Sequence, residues 1–447
     1  MSAYPAAKSE ADRVDRSRAF RVVLMLIALT NCAIFLYFAE AASIRVPVVD
    51  QFSWLLFYGE HAKAGHWLAY LWTPHNEHRI VLARLMLALD VRWFAGEGTA
   101  FFVSGLILLL AAAAAVCREI AKSDLAPSWK PAAIAIAILL LFPAHIVTTL
   151  GMPAMSPYLQ TSSFALFSLV LLDGAAERDR LVNCRRAMAL VAACLAAFGV
   201  SAGLVIWPVL LWAAWRGRMP RVWIAAIACV GTTFAAVYLW KLPLNSVDSP
   251  FDFSLVIPSF DYAIRFLGLP WSHLHALVWP ARLIGLTVLG LGCFALVQDA
   301  LAGGSPGRLH RLGLGLVLFA FLIAGSAVLA RLDAAADREM PIRYGIFVVL
   351  AQLGLFLWSL GFLQRYWRPA DGGGAQWLIV ALCAVWLGQQ AIAGEYAVAE
   401  AHRYNDAWSR FAAGEWTPDM LHYVFPDRQQ AVDGLAALRK MRLYGSK

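Results

Sequence analysis

Charge is what this sequence has least of. Asp, Glu, Lys and Arg together make up 15% of its 447 residues, against about a quarter in a soluble domain. A folded soluble chain of this size must still cover its surface with polar atoms, so a cytosolic enzyme is excluded and so is a disordered chain. Paired cysteines are missing too. The seven cysteines, Cys32, Cys117, Cys184, Cys194, Cys229, Cys293 and Cys383, lie in or beside apolar runs, make no C-x-x-C spacing and are odd in number. They read as small interior residues and not as a disulfide framework or metal site. Alternating segments of about ten residues, the signature of a membrane barrel, are also lacking. The net charge of +8 is scattered over short loops and forms no basic stripe, so no nucleic-acid partner is expected.

What is present is apolar. Hydrophobic residues reach 61% and the mean hydropathy is +0.63. They come in uncharged runs near the ~20 residues that cross a bilayer. The expected fold class is all-α, a polytopic helical membrane protein with about eleven spans. The runs are 22–39, 99–116, 131–150, 158–172, 187–200, 204–215, 222–240, 276–297, 312–330, 344–363 and 376–393. The pair 187–200 and 204–215 is short and also reads as one tilted helix. A polar, basic segment 1–21 precedes the first run. Its length and lack of a small-residue cleavage site argue for a cytoplasmic flank and a first span, not a removed signal.

Lys and Arg orient the chain. With the N-terminus inside, the inner loops carry Arg118, Lys122 and Lys130, then Arg178 to Arg186, Arg216 to Arg221, Arg308 and Arg311, and Arg365 and Arg368. Loops 151–157 and 201–203 contain neither residue. Four segments then lie outside: 40–98, 241–275, 331–343 and the tail 394–447. Spans with almost no ionisable groups, Arg282 being the main exception, place the polar chemistry at the outer membrane surface within a 22–393 transmembrane domain.

The first outer loop holds the densest set of reactive side chains. Asp50 follows Pro47 at the start of a helix expected over 51–64. It reads either as the cap of that helix or as a carboxylate held near the membrane surface. Trp54, Trp67 and Trp72 suggest headgroup-level anchors. Thr73-Pro74-His75-Asn76-Glu77-His78-Arg79 then precedes an amphipathic run over 80–94 that carries Arg84 and Asp90. Glu77 and Arg84, seven apart, fall on one helical face. They form either a solvated stripe or, with His75, His78 and Arg79, the lining of a polar pocket. His75 and His78 have a spacing that two zinc ligands could use, but no third ligand is evident. In loop 331–343, Arg343-Tyr344 opens a span. A guanidinium there either snorkels to the headgroups or grips a phosphate. His273 and His275 in loop 241–275 read as interfacial histidines. The tail is too short for a catalytic domain and is placed to cap the outer face.

One span, an acidic residue soon after it, two juxtamembrane helices and then a run of spans resembles the GT-C glycosyltransferase superfamily. The short segments Asn76-Glu77-His78-Arg79, Ser201-Ala202-Gly203 with Trp207-Pro208, and Ile342-Arg343-Tyr344 add to the likeness. That family moves a sugar from a polyprenyl-phosphate carrier to an acceptor outside the membrane, with an acidic loop motif as base or metal ligand. Asp50 matches the motif. Its neighbour is Gln51, so the paired-acid form is absent. The resemblance implies a polyprenyl-phosphate-linked sugar donor, a lipid or glycan acceptor and a bacterial inner-membrane location with a periplasmic site. A divalent metal belongs to some such sites, and no cofactor is firmly expected here. Asp50 would be the base, Arg79, Arg84 and Arg343 with Tyr344 the phosphate binders, and Glu77 and His78 the groups that orient sugar or acceptor. Two other classes stay open: a lipid-linked glycan flippase, which would need broken helices at membrane depth, and a non-catalytic subunit of envelope-polysaccharide assembly.

Overall fold

A computed structural model of the chain describes residues 4–48, 50–173, 181–243, 256–271, 278–302, 307–329, 341–366, 373–415 and most of 417–443, with side chains from Arg18 onward. His273, His275, Arg331 and the rest of 330–340 lie outside the described residues. The fold is all-helical. Its α-helices are Tyr4–Ala41 (α1), Asp50–Phe57 (α2), Trp67–Trp72 (α3), Val81–Trp93 (α4), Thr99–Lys122 (α5), Lys130–Leu141 (α6), Val147–Gly151 (α7), Ser156–Asp173 (α8), Val182–Ala197 (α9), Ile206–Arg216 (α10), Arg221–Leu239 (α11), Val256–Leu267 (α12), Val278–Leu301 (α13), Arg308–Leu329 (α14), Gly345–Tyr366 (α15), Gly373–Ala412 (α16) and Arg428–Met441 (α17).

Among the described residues nine helical stretches are long and apolar enough to cross a membrane. The expectation of eleven differs at 182–216, where the chain makes two shorter helices, α9 and α10, joined by a 3-10 turn at Ser201–Val205. Side-chain anchors fix where those helices end. At one end of the bundle Ser201 bonds His78 at 2.7 Å. At the other, Arg216 holds Asp299 at 2.8 Å, beside the Arg308–Glu119 pair. Glu119 closes α5, whose first turn is capped at the His78 end by the Asp90 carboxylate, 2.7 Å from the Gly98 and Ala100 N–H groups. The α9–α10 pair therefore runs down and back between the two ends. Gly203 permits the reversal, since a Cβ there would stand 2.3 Å from the Ala196 carbonyl.

Lipid supplies no hydrophobic drive between helices, so close packing and hydrogen bonds must hold them. Gly313 of α14 and Gly354 of α15 face each other so closely that a Cβ on either would meet the other's carbonyl at 2.5 Å. On α8, Thr161 donates to the Ala196 carbonyl and accepts from the Val200 N–H, and Ser168 donates to the Ala189 carbonyl. The run 130–151 is broken after Leu141, at Phe142-Pro143. Asn31 of α1 donates to the freed Phe142 carbonyl at 2.8 Å, and the Gln390 side chain of α16 accepts from the Ala144 N–H. Such a break is tolerated in a bilayer only where neighbours satisfy the backbone in this way. Arg282, the ionisable exception in the spans, forms a two-point pair with Asp261 of α12 at 2.7 and 3.0 Å.

The segment after residue 393 does not form a separate domain. α16 continues without a break past residue 393, and its polar extension packs with α17 over α2. Phe52 is the centre of that contact, with Trp408, Phe425 and Phe411 rings 5.7, 6.2 and 6.4 Å away. In a cysteine-free background, cysteines at Asn183 and Arg218 should be labelled from the same side of the membrane, and a cysteine at Lys63 from the opposite side. Labelling of Asn183 and Arg218 from opposite sides would mean that 182–216 crosses once.

Candidate functional site

The site is built on a two-residue turn. His75 and His78 exchange backbone hydrogen bonds of 2.8 and 3.0 Å across Asn76-Glu77, with Asn76 at φ +49. Asparagine tolerates that left-handed conformation better than most residues. The turn corrects the expectation that Glu77 shares a helical face with Arg84: Glu77 sits at the hairpin tip, before α4 begins.

The turn points His75 at Asp50. His75 Nε2 lies 3.7 Å from Asp50 Oδ2, an ion-pair rather than a hydrogen-bond distance. The Asp50 side chain is 47% exposed while His75 is 16% exposed, so the carboxylate fronts the open side and the imidazole backs it. Asp50 is the first residue of α2, where a negative charge suits the helix dipole. Its carboxylate turns to His75 and caps no described backbone N–H. Burial works against its ionisation, but the contact with His75 and the charges of His75, Arg343 and His78 outweigh it. They hold the Asp50 carboxyl below the usual carboxylate range.

His78 faces the other way. Its Nδ1 meets the Ser201 hydroxyl at 2.7 Å and the Ser201 N–H at 3.3 Å. A nitrogen that accepts a backbone N–H carries no proton, so in the neutral ring the proton belongs on Nε2. That Nε2 stands 3.8 Å from Glu77 Oε1. Burial, helped by the charges of His75 and Arg343 and opposed by Glu77, pushes the His78 pKa down. Arg343, from a 3-10 turn before α15, completes the group. Its guanidinium carbon lies 5.7 Å from the Tyr158 ring and 5.6 Å from the Tyr344 ring. Tyr344 in turn packs on Tyr158 and on Phe266 of α12. Among the described residues Arg343 forms no ion pair within 4.0 Å; the nearby phenols and Asp50 still raise its pKa against the effect of burial.

Two expected members have other work. Arg79 is 2% exposed. Its Nε donates to the Tyr238 carbonyl at 2.7 Å, and its two terminal nitrogens donate to the Trp72 and Trp240 carbonyls. Its backbone N–H donates to the Tyr238 hydroxyl at 2.9 Å. Arg84, also 2% exposed, donates to the Tyr70 carbonyl at 2.7 Å and to that of Thr73. It lies 4.6 Å from the Phe57 ring centre. Burial pushes its pKa down to about 10. These guanidinium groups are committed to main-chain carbonyls and are not placed to grip a phosphate. Trp54 is likewise no headgroup anchor: it is 2% exposed and meets the His75 ring edge-on at 5.8 Å.

Sequence reasoning set His75 with Glu77, His78 and Arg79 in a polar pocket but gave it no link to Asp50, which the hairpin supplies. It left Tyr158 out of the site. Tyr158 carries no sequence signal, because it opens an apolar run. Among the described residues no three His, Cys, Asp or Glu side chains converge as metal ligands. The chain matches no family model, no curated protein and no solved structure.

The charges dictate a pH response. His78 binds a proton less readily folded than unfolded, so it contributes stability above its ordinary pKa of about 6.5 that is lost as pH falls through the folded value. Asp50 acts the same way from about 4 downward. The melting temperature in detergent should fall in two acid steps. His78→Gln should flatten the upper step and Asp50→Asn the lower. Arg79→Ala should cost more than either, because it leaves the buried carbonyls of Trp72, Tyr238 and Trp240 without a partner at roughly 1–3 kcal/mol each, while Arg343→Ala should melt close to wild type. Equal losses from Arg79→Ala and Arg343→Ala would overturn this division of roles.

Proposed function

We propose that the chain is a membrane glycosyltransferase that moves a sugar from a polyprenyl-phosphate carrier to a hydroxyl acceptor on the periplasmic face. The observation that carries the reading is a half-exposed, ionised Asp50 within the field of Arg343. A base and a cation on one surface are what the displacement requires. The acceptor oxygen attacks the anomeric carbon, its proton passes to Asp50, and the bond to the carrier oxygen breaks with its electrons leaving on the phosphate. A positioned base contributes roughly 10²–10⁴-fold. Arg343 stabilises the charge that develops on the leaving phosphate. A low pKa keeps Asp50 deprotonated at neutral pH, and a good leaving group spares it from being a strong base. His75 holds the carboxylate from behind. Glu77 and the Nε2–H of His78 are placed to bond sugar or acceptor hydroxyls. One displacement predicts inversion.

Further support comes from unused donors. Trp54 Nε1 and Arg343 Nε are buried and make no hydrogen bond among the described residues. Buried polar groups are ordinarily satisfied, and a ligand with several oxygens would satisfy them. The Lys/Arg asymmetry supports the periplasmic side.

A second reading, a lipid-linked glycan flippase, draws on the broken helix at 142–146, since broken helices at membrane depth mark transport sites. There, however, the Phe142 carbonyl and the Ala144 N–H are already bonded by Asn31 and Gln390. His145 packs against Gly345, where a Cβ would come within 2.9 Å of its ring. That filling favours the transferase.

In proteoliposomes given a synthetic polyprenyl-phosphate sugar, Asp50→Asn should abolish transfer without lowering the melting temperature at neutral pH by more than about 1 kcal/mol equivalent. Arg343→Lys keeps the charge but loses the planar two-point contact. It should weaken kcat/KM about ten- to a hundred-fold, the worth of a charge-assisted hydrogen bond of roughly 1.5–3 kcal/mol. Full transfer by Asp50→Asn would remove the base. Carrier translocation without any sugar transfer would favour the flippase.

A further inference from the structure

A cavity of about 430 Å³ lies at the end of the bundle opposite Asp50. It opens between the end of α13, the start of α14, the end of α15 and the segment after α5. We infer that this cavity is a binding site for an anionic phospholipid with a hydroxylated headgroup, drawn from the leaflet at that end. The inference is independent of the transferase reading, because none of its residues belongs to the Asp50 group.

The lining is divided as a lipid is. Leu357, Trp358 and Phe362 form an apolar side. Phe362 is 55% exposed and Phe294 is 59% exposed. Phe294 meets Trp358 edge-on at 6.2 Å, which continues the apolar strip from the cavity onto the lipid-facing surface of α13. Acyl chains fit such a strip. Arg308 forms the cationic side, with the His310 ring beside it. Both are braced from below by acids withdrawn from solvent: Arg308 by Glu119, 1% exposed, and His310 by Asp299, 3% exposed and 3.7 Å away. Arg308 itself stays 32% exposed, so it is held in place and still reachable. A guanidinium fixed this way suits a phosphodiester. Asp124 and Gln298 supply acceptors on the polar wall, which suits headgroup hydroxyls, while the Gln364 oxygen accepts from the Ala126 N–H at 3.1 Å.

The surrounding charge selects an anion. Arg118, Lys122, Lys130, Arg216, Arg218 and Arg311 lie on the segments at this end. Such clusters attract acidic lipids at about 1 kcal/mol per basic residue near the surface. The end rich in Lys and Arg is also the one expected to face the cytoplasm, the side of the leaflet that presents these headgroups.

Gly361 gives a clean test. It lines the cavity, and a Cβ added there meets nothing within 4 Å. Gly361→Phe should put a ring at the cavity wall, with room at the Cβ and with better helix propensity than glycine. Gly388→Phe on α16, where a Cβ also meets nothing within 4 Å, is the control. Purified protein is titrated with dioctanoyl phosphatidylglycerol, dioctanoyl phosphatidylcholine or geranyl monophosphate, and the melting temperature is read. Ligand that binds only the folded state raises it. Phosphatidylglycerol should raise it most in wild type and in Gly388→Phe, with apparent affinity weakened about tenfold or more in Gly361→Phe. Arg308→Lys, which keeps the pair with Glu119, should weaken phosphatidylglycerol and leave phosphatidylcholine unchanged. An equal response in Gly361→Phe, no preference over phosphatidylcholine, or a preference for geranyl monophosphate would each overturn the assignment.

Discussion

The guanidinium of Arg79 joins two stretches of chain that no helix or sheet connects. The end of α3 and the end of α11 each leave carbonyls without partners, as helix ends do. Arg79 reaches the carbonyls of Trp72, Tyr238 and Trp240 at once, and its own N–H is taken by the Tyr238 hydroxyl. That bridge ties the His75–His78 turn to α11, as the bond from His78 ties it to Ser201. Arg84 performs the same service one turn later, tying α4 back to the carbonyls of Tyr70 and Thr73. The loop therefore spends two of its arginines on rigidity. Placing a third, Arg343, is left to a different part of the chain.

Rigidity also reaches Asp50 from the other direction. α2 has only eight residues and could not hold its position alone. Phe52 anchors it, 1% exposed, under Trp408, Phe411 and Phe425. Gly434 of α17 lies so close that a Cβ would meet the Phe52 ring at 2.5 Å. The C-terminal segment thus clamps the first outer helix. Asp50 is held by its own helix below, by His75 beside it and by the tail across the top.

Much of this was legible from composition and periodicity. Apolar run length finds a span wherever the run is a helix, so the long helices stood out. The surface helix with Arg84 and Asp90 was visible because its apolar residues recur at helical spacing. The roles of its charges were not. A buried arginine and a phosphate-binding arginine look alike in sequence, and only the carbonyls of Tyr238 and Trp240, some 160 positions away, tell Arg79 from Arg343. Asp90 read as a break in an apolar face, yet it caps α5 across a left-handed Gly98. The break at Phe142-Pro143 was hidden because its satisfying partners, Asn31 and Gln390, come from opposite ends of the chain. The short pair α9 and α10 falls below the length that marks a span, so its count had to come from what its ends touch.

The two ends of the bundle use the same residue types with opposite outcomes. At the Arg216 end the acids are withdrawn from solvent and touch their partners directly: Glu119 with Arg308, Asp299 with Arg216 at 2.8 Å. A buried pair of that kind is costly to form and costly to break, so it acts as a strut. At the opposite end Asp50 and His75 stand 3.7 Å apart with the carboxylate half exposed, and His78 and Glu77 stand 3.8 Å apart. Each of these groups has attraction left for a third party, because neither pair is closed to hydrogen-bond distance. Arg343, resting on the faces of Tyr158 and Tyr344 instead of on a carboxylate among the described residues, has the most. A cation over aromatic rings is held by roughly 0.5–2 kcal/mol, less than it would gain from an anion brought to it. The fold thus closes its charges where it needs stiffness and leaves them short of contact where a ligand could complete them.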